Sequence, residues 1–126
     1  MAFQLFNPNP SGAYVGDCVI RALAKGLNSS WYKIYSGLAI EGYSMGDMPS
    51  SNRVWGKYLK DSGFRRYIIP NTCPNCYTIR DFCNDYPTGT YIVGTGTHVV
   101  CVKDGNYYDT WDSGDETPIF YYHKEV

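Results

Sequence analysis

The stretch Thr97-His98-Val99-Val100-Cys101-Val102-Lys103-Asp104-Gly105-Asn106-Tyr107-Tyr108-Asp109-Thr110-Trp111 decides how this chain is read. Two runs rich in β-branched and aromatic residues flank Asp104-Gly105, a dipeptide suited to a two-residue hairpin turn. The pattern predicts strands over 97–103 and 106–111. In that register Lys103 faces Asn106, Val100 faces Asp109 and His98 faces Trp111. Opposed residues share a face of the sheet, and faces alternate along each strand. His98, Val100, Asp109 and Trp111 therefore lie on one face, and Asp109 sits diagonally across from His98. Cys101 points to the opposite face. Asp112 would oppose Thr97 on that opposite face, so it ranks behind Asp109 as a partner for the histidine. A slip of one residue would reverse every one of these assignments.

Strands also read over 90–93, 66–69 and 118–122. Upstream the period changes to that of helices. From Cys18, the apolar residues Val19, Ile20, Leu23, Ala24 and Leu27 recur at three- and four-residue spacing, which predicts an amphipathic helix. Asp17 stands at its N-cap position, so Cys18 falls in the first turn. A second helix over 31–42 follows Ser29-Ser30. A third over 52–62 turns Val54, Trp55, Tyr58 and Leu59 inward and ends at Gly63. Thr78 and Asp81 form a capping-box pattern for a short helix over 79–85. Residues 1–16 are rich in Asn, Pro, Gly and Ser and read as an extended arm. The expectation is a single α+β domain over 1–126, with N-terminal helices packed on a C-terminal antiparallel sheet.

At 126 residues the chain has room for one core. A net charge of −1 argues against a nucleic-acid binder that works by neutralising phosphates. No apolar run is long enough to span a bilayer. The N-terminus lacks the basic and apolar regions of a secretory signal, which points to a cytoplasmic protein. Five cysteines are an odd number, so at least one is free in any intrachain pairing.

Cys18 has the position of a nucleophile. A thiol attacks as thiolate, and a helix N-terminus favours the anion. The second requirement is a histidine to take the proton, and the chain has two. His123 reads as a solvated terminal residue. His98 opens an apolar strand after Gly94-Thr95-Gly96-Thr97, where Gly96 leaves room for a ligand near the backbone. Cys18 as nucleophile, His98 as base and Asp109 as orienting acid form the candidate triad, with Asp112 as the alternative acid. Trp111 and Gly96 are the candidate cleft residues. Arg21 stands three residues after Cys18 and reads as a salt-bridge partner or a substrate contact.

Gly16-Asp17-Cys18-Val19-Ile20-Arg21-Ala22-Leu23, then His98-Val99-Val100, then Asp109-Thr110-Trp111 resembles the papain-like cysteine peptidase superfamily. There a helix-borne Cys comes first, a strand-borne His later, and an Asn or Asp on the next strand last, often followed by Trp. The segment Thr90 to Val102 is similar to the core of the bacteriocin-processing, C39-like peptidases. The nucleophile region is similar to that of ovarian-tumour-type deubiquitinases. The whole chain resembles small proteins of Gram-positive gut bacteria and their phages. The resemblance implies a papain-like fold, no cofactor, a peptide or protein substrate, and for a phage protein the host cytoplasm as its location. Papain-like enzymes usually place an oxyanion-stabilising Gln six residues before the Cys, where this chain has Gly12. Backbone N–H groups at Asp17 and Cys18, or the side chain of Asn9 or Asn7, are the candidate substitutes. Peptidase, amidase and transglutaminase chemistry all remain open on these residues, as does a non-catalytic binding or inhibitor module on the same scaffold.

Cys73-Pro74-Asn75-Cys76 has the spacing of half a zinc site, with Cys83 as a third thiolate. No second C-x-x-C completes the four ligands of a structural zinc, so a loop with buried or paired thiols is the leading reading there.

Overall fold

A computed structural model describes residues 2–124; Met1, Glu125 and Val126 of the expected domain lie outside the described residues. The elements run in the order β1 (Phe3–Leu5), α1 (Cys18–Gly26), α2 (Trp31–Met45), α3 (Asn52–Asp61), β2 (Arg65–Ile68), α4 (Ile79–Asp85), β3 (Thr90–Gly94), β4 (Val99–Lys103), β5 (Asn106–Asp109) and β6 (Phe120–His123). The strands form one six-stranded sheet in the order β1-β5-β4-β3-β6-β2.

The hairpin at Asp104-Gly105 forms as the dipeptide predicts. Both residues take positive φ, +50° and +77°, as a two-residue turn matched to strand twist requires. Lys103 pairs with Asn106, Val102 with Tyr107 and Cys101 with Tyr108, which is the expected register. The faces follow. Val99 and Cys101 join the core under α1–α3, while Val100 and Val102 join a second core against α4.

Two expectations about the sheet are corrected. The sheet is mixed, because Phe3–Leu5 of the supposed arm pairs in parallel with Tyr107–Asp109. Three residues gave too short a signal to register as a strand beside the Asn- and Pro-rich run that follows. The helices are also not confined to one side. α1, α2 and α3 cover one face with Leu23, Ile34, Leu38, Trp55 and Leu59. α4 covers the other with Ile79, Phe82 and Cys83. A sheet covered on both faces explains why Val99, Val100, Cys101 and Val102 are all buried instead of alternating with polar residues. Each such fully buried aliphatic side chain stabilises the fold by about 1.5–3 kcal/mol relative to an exposed one.

Helix starts match the sequence signals closely, while α2 runs to Met45, three residues past its expected end. Ser30 Oγ accepts from Lys33 N. Thr78 and Asp81 form the reciprocal capping box. Gly63 takes the left-handed conformation after α3, φ +96°. Tyr58, expected inward, is only half-buried. His123 is not a solvated terminal residue. It pairs with Tyr91 in the sheet, accepts the Tyr91 ring as a stacking partner at 4.4 Å and places Nδ1 3.1 Å from the Thr90 carbonyl oxygen.

Among the described residues, no helix is long and apolar enough to cross a membrane.

Candidate active site

β4 begins and β5 ends at the same end of the sheet, because the two are antiparallel neighbours. The N-terminus of α1, which packs on β4, meets them there. Cys18 is the first residue of α1, His98 precedes β4 by one residue and Asp109 is the last of β5. The fold therefore brings together three residues separated by up to 91 positions of sequence.

His98 is held by the turn before it. Thr95 Oγ1 accepts from His98 N at 2.9 Å and from Thr97 N at 3.2 Å. Thr95 N in turn donates to the His98 carbonyl at 2.8 Å. His98 Nε2 donates to Asp109 Oδ2 at 2.6 Å. Cys18 stands beside His98, close enough for the histidine to lower its thiol. Of the two carboxylates weighed on the hairpin, Asp109 is the one that meets His98.

Asp109 is 1% exposed and all its acceptor positions are used. Oδ1 accepts from Arg21 Nη2 at 3.1 Å and from Thr110 N at 2.8 Å. Oδ2 accepts from His98 and from Ser113 Oγ, the latter at 2.7 Å. The Asp109 backbone is fixed too, its carbonyl accepting from Phe6 N at 2.8 Å.

The electrostatics follow from these contacts. Burial pushes the Cys18 thiol up, but the hydrogen bonds from His98 and the Val99 N–H, with the charges of His98 and Arg21, outweigh it and hold the thiol below its ordinary value. Burial pulls His98 down, but its bonds to Asp109 and Cys18 raise it to about 9. Burial acts on Asp109 upward, and the bonds from His98, Ser113 and Thr110 bring it below the usual carboxylate value. These directions favour the thiolate of Cys18 and the imidazolium of His98 beside the Asp109 carboxylate.

Cys18 and His98 open onto a cleft of 420 Å³. Its walls include Val19, Ile20, Tyr35, Leu38, Pro49 and Val99, with Ser50, Asn52, Thr95, Gly96 and Thr97 as polar or small lining residues. Gly96 stands where it was expected, and a Cβ added there meets no atom within 4 Å.

Several expected residues are placed elsewhere. Asp112 does not approach His98. It accepts from Tyr107 Oη at 2.5 Å and from Arg80 Nη2 at 3.1 Å, because β5 ends at Asp109 and the chain then turns toward α4. Asn9 lies outside the cleft, its Oδ1 engaged by Ser11 N and Oγ at 2.9 and 2.8 Å. Asn7 likewise serves the arm, donating to the Gly12 and Ala13 carbonyls. The Asp17 N–H is taken by the Val15 carbonyl at 2.8 Å. Its carboxylate does not cap α1. Instead it accepts from Arg21 and, at 2.8 Å, from Trp31 Nε1. Trp111 does not line the cleft. It is 46% exposed and covers the His98 ring, centroid to centroid at 5.0 Å.

The other cysteines follow the alternative of paired or buried thiols. Cys73 and Cys76 are joined in a disulfide, and Cys83 faces inward from α4. Among the described residues no group of three His, Cys, Asp or Glu side chains is arranged to hold a metal ion.

Sequence reading missed Ser113 and Thr95. Ser113 stands in the Ser113-Gly114 turn, and only the fold brings it under Asp109. Thr95 carried a local signal, a hydroxyl three residues before His98 able to accept backbone N–H bonds.

Compared with family models, with curated proteins and with solved structures, the chain matches none.

Proposed function

We propose that this chain is a cysteine-dependent hydrolase of peptide or isopeptide bonds, built on a papain-like arrangement of Cys18, His98 and Asp109. The observation that carries the reading is His98, held by Asp109 through Nε2 at 2.6 Å, standing beside a lowered thiol at a helix start. In this reading the Cys18 sulfur attacks the substrate carbonyl, and a C–S bond forms as the carbonyl electrons move onto oxygen. His98 gives its proton to the leaving amine as the C–N bond breaks. Water, deprotonated by His98, then hydrolyses the thioester.

The oxyanion needs a donor. α1 supplies the Cys18 N–H, which stands in the first turn where no intrahelical acceptor exists and where Asp17 offers no side-chain cap. The cleft supports a peptide substrate: its walls are largely apolar, and its one carboxylate, Asp17, is tied to Arg21 and Trp31. A neutral segment fits such a channel, whereas a charged side chain would find no free counter-ion.

One observation favours a second reading, a binding module that keeps the scaffold without the chemistry: Asn9 does not line the cleft and the Asp17 N–H is engaged by Val15, and a missing donor of this kind costs on the order of 3 kcal/mol in the transition state.

Competitive alkylation with iodoacetamide at pH 6, read by mass spectrometry of the cysteine peptides, tests the proposal. Cys18 is expected to react at least about 100-fold faster than Cys83 and Cys101, whose thiols are buried and protonated. Cleavage of a mixed peptide library by the wild type and not by Cys18→Ala completes the case. Equal reactivity of Cys18 with an ordinary thiol, or a library left intact, would leave the binding module as the better account.

A further inference from the structure

Arg21 is buried, 5% exposed, and lies one turn after Cys18 on α1. It does not line the cleft, so it is no substrate contact. Its guanidinium divides between two carboxylates. Nη1 donates to Asp17 Oδ1 and, at 3.4 Å, to the Val15 carbonyl. Nη2 donates to Asp109 Oδ1 at 3.1 Å. Asp17 is itself anchored by Trp31 Nε1 at 2.8 Å. The result is a hydrogen-bonded line, Trp31–Asp17–Arg21–Asp109–His98, that starts on α2, crosses α1, reaches β5 and ends at the histidine beside Cys18.

We propose that Arg21 is a positioning residue of the active site, clamping Asp109 so that Oδ2 stays aimed at His98 Nε2. This rests on the thiolate–imidazolium reading above. The argument has three parts. First, a planar fork with fixed donor geometry can hold two carboxylates at once, which a single ammonium cannot. Second, Arg21 occupies Oδ1, so with Thr110 on Oδ1 and Ser113 on Oδ2 the carboxylate has one orientation in which His98 completes its shell. Third, the clamp belongs to the helix that carries the nucleophile. Arg21 and Cys18 move as one body, so the acid on β5 is tied to Cys18 independently of His98.

Charge balance agrees. The titratable groups facing one another here are Cys18, Asp17 and Arg21 from α1, His98 from the turn before β4, and Asp109 from β5. Asp17 and Arg21 form a neutral pair, so Asp109 keeps its negative charge for the imidazolium. Burial of an arginine beside two acids is costly unless every donor is used; an arginine needed for packing alone would not require the second acid.

The test is an NMR titration of the His98 Cε1 proton, assigned against a His123→Gln control. In the wild type the imidazolium is expected to persist to about pH 9. Arg21→Lys keeps the charge and removes the fork. His98 should then titrate at least one pH unit lower, about a tenfold change in the protonation equilibrium, while the helical circular dichroism is retained. Asp17→Asn releases the anchor and leaves the Arg21 charge unbalanced near the imidazolium. It should move His98 in the same direction by a smaller amount, and it decides the question if the lysine variant does not fold. A folded Arg21→Lys or Asp17→Asn protein whose His98 titrates with the wild type would overturn the clamp while leaving the triad standing. A wild-type His98 that titrates near the ordinary value of 6.5 would overturn the ion pair and the clamp together.

Discussion

Cys18 and Cys101 pack against the same apolar cluster between the sheet and helices α1–α3. Burial acts on both thiols in the same direction, yet the outcomes are opposite. Cys101, fully enclosed in β4, is pushed up to about 12. Cys18, at the head of α1, is held below its ordinary value. What differs is the company each thiol keeps. Around Cys101 only the distant charges of Lys103 and Lys25 oppose burial. Around Cys18 stand an imidazole, a backbone N–H and a guanidinium. The two histidines repeat the contrast. His123, at the far end of the sheet, faces a backbone carbonyl and a tyrosine ring, while His98 faces a carboxylate and a thiol. The two ends of the sheet set the same residue types in opposite electrostatic surroundings.

Removing the company should turn Cys18 into a second Cys101. His98→Ala leaves burial as the dominant influence on the thiol. Peptide cleavage should fall by at least about 10³-fold, and alkylation of Cys18 should lose its reactivity at pH 6 and appear only in alkaline solution. A variant that kept acid-side reactivity would show that the helix terminus alone ionises the thiol.

The converse change tests Cys101. Cys101→Ser buries a hydroxyl between Ile92 and Tyr108, the residues that flank it in the ladder, and should cost about 1–3 kcal/mol of stability. Denaturant melts should register that loss, while turnover per folded molecule stays at the wild-type value. A fall in turnover would mean that the core thiol communicates with the site.

The smallest effect is in the pH dependence of stability. His98 is raised in the folded state, so its contribution is complete below its unfolded value of 6.5 and is lost as pH rises through about 9. Cys18 is lowered, so its contribution is present above its unfolded value of 9.0 and is lost as pH falls through the folded value. The two slopes oppose each other below pH 9. Melting temperatures of the wild type should therefore fall less between pH 6.5 and 9 than the histidine alone would dictate. Cys18→Ala removes one slope and should tilt the curve downward with rising pH. Above pH 9 both forms should lose stability as the unfolded chain ionises the thiols of Cys83 and Cys101, which the fold keeps protonated.

Much of this was legible before any coordinates. The 3.6-residue period of α1 to α3, the capping box at Thr78 and Asp81, and the turn at Asp104-Gly105 are local features, and local features set helix ends and hairpin register. Register then carried the reading across the hairpin, which is how Asp109 was separated from Asp112 as the partner of His98. Even Cys18 was marked by position, as the first residue of a helix. What the residues could not announce is everything that depends on which surfaces meet. The pairing of Phe3–Leu5 with β5, the placement of α4 on the opposite face, the aim of Asp17 at Arg21 instead of at the helix end, and the seat of Ser113 under Asp109 all arise between segments far apart in the chain. Asp17 and Ser113 are buried, and a buried polar group takes whichever partner the packing presents. Local sequence determined where Cys18, His98 and Asp109 would stand on their own elements. Only the tertiary structure decided that they stand at one end of one sheet, with a buried arginine behind them, because that outcome depends on how both faces of the sheet are covered.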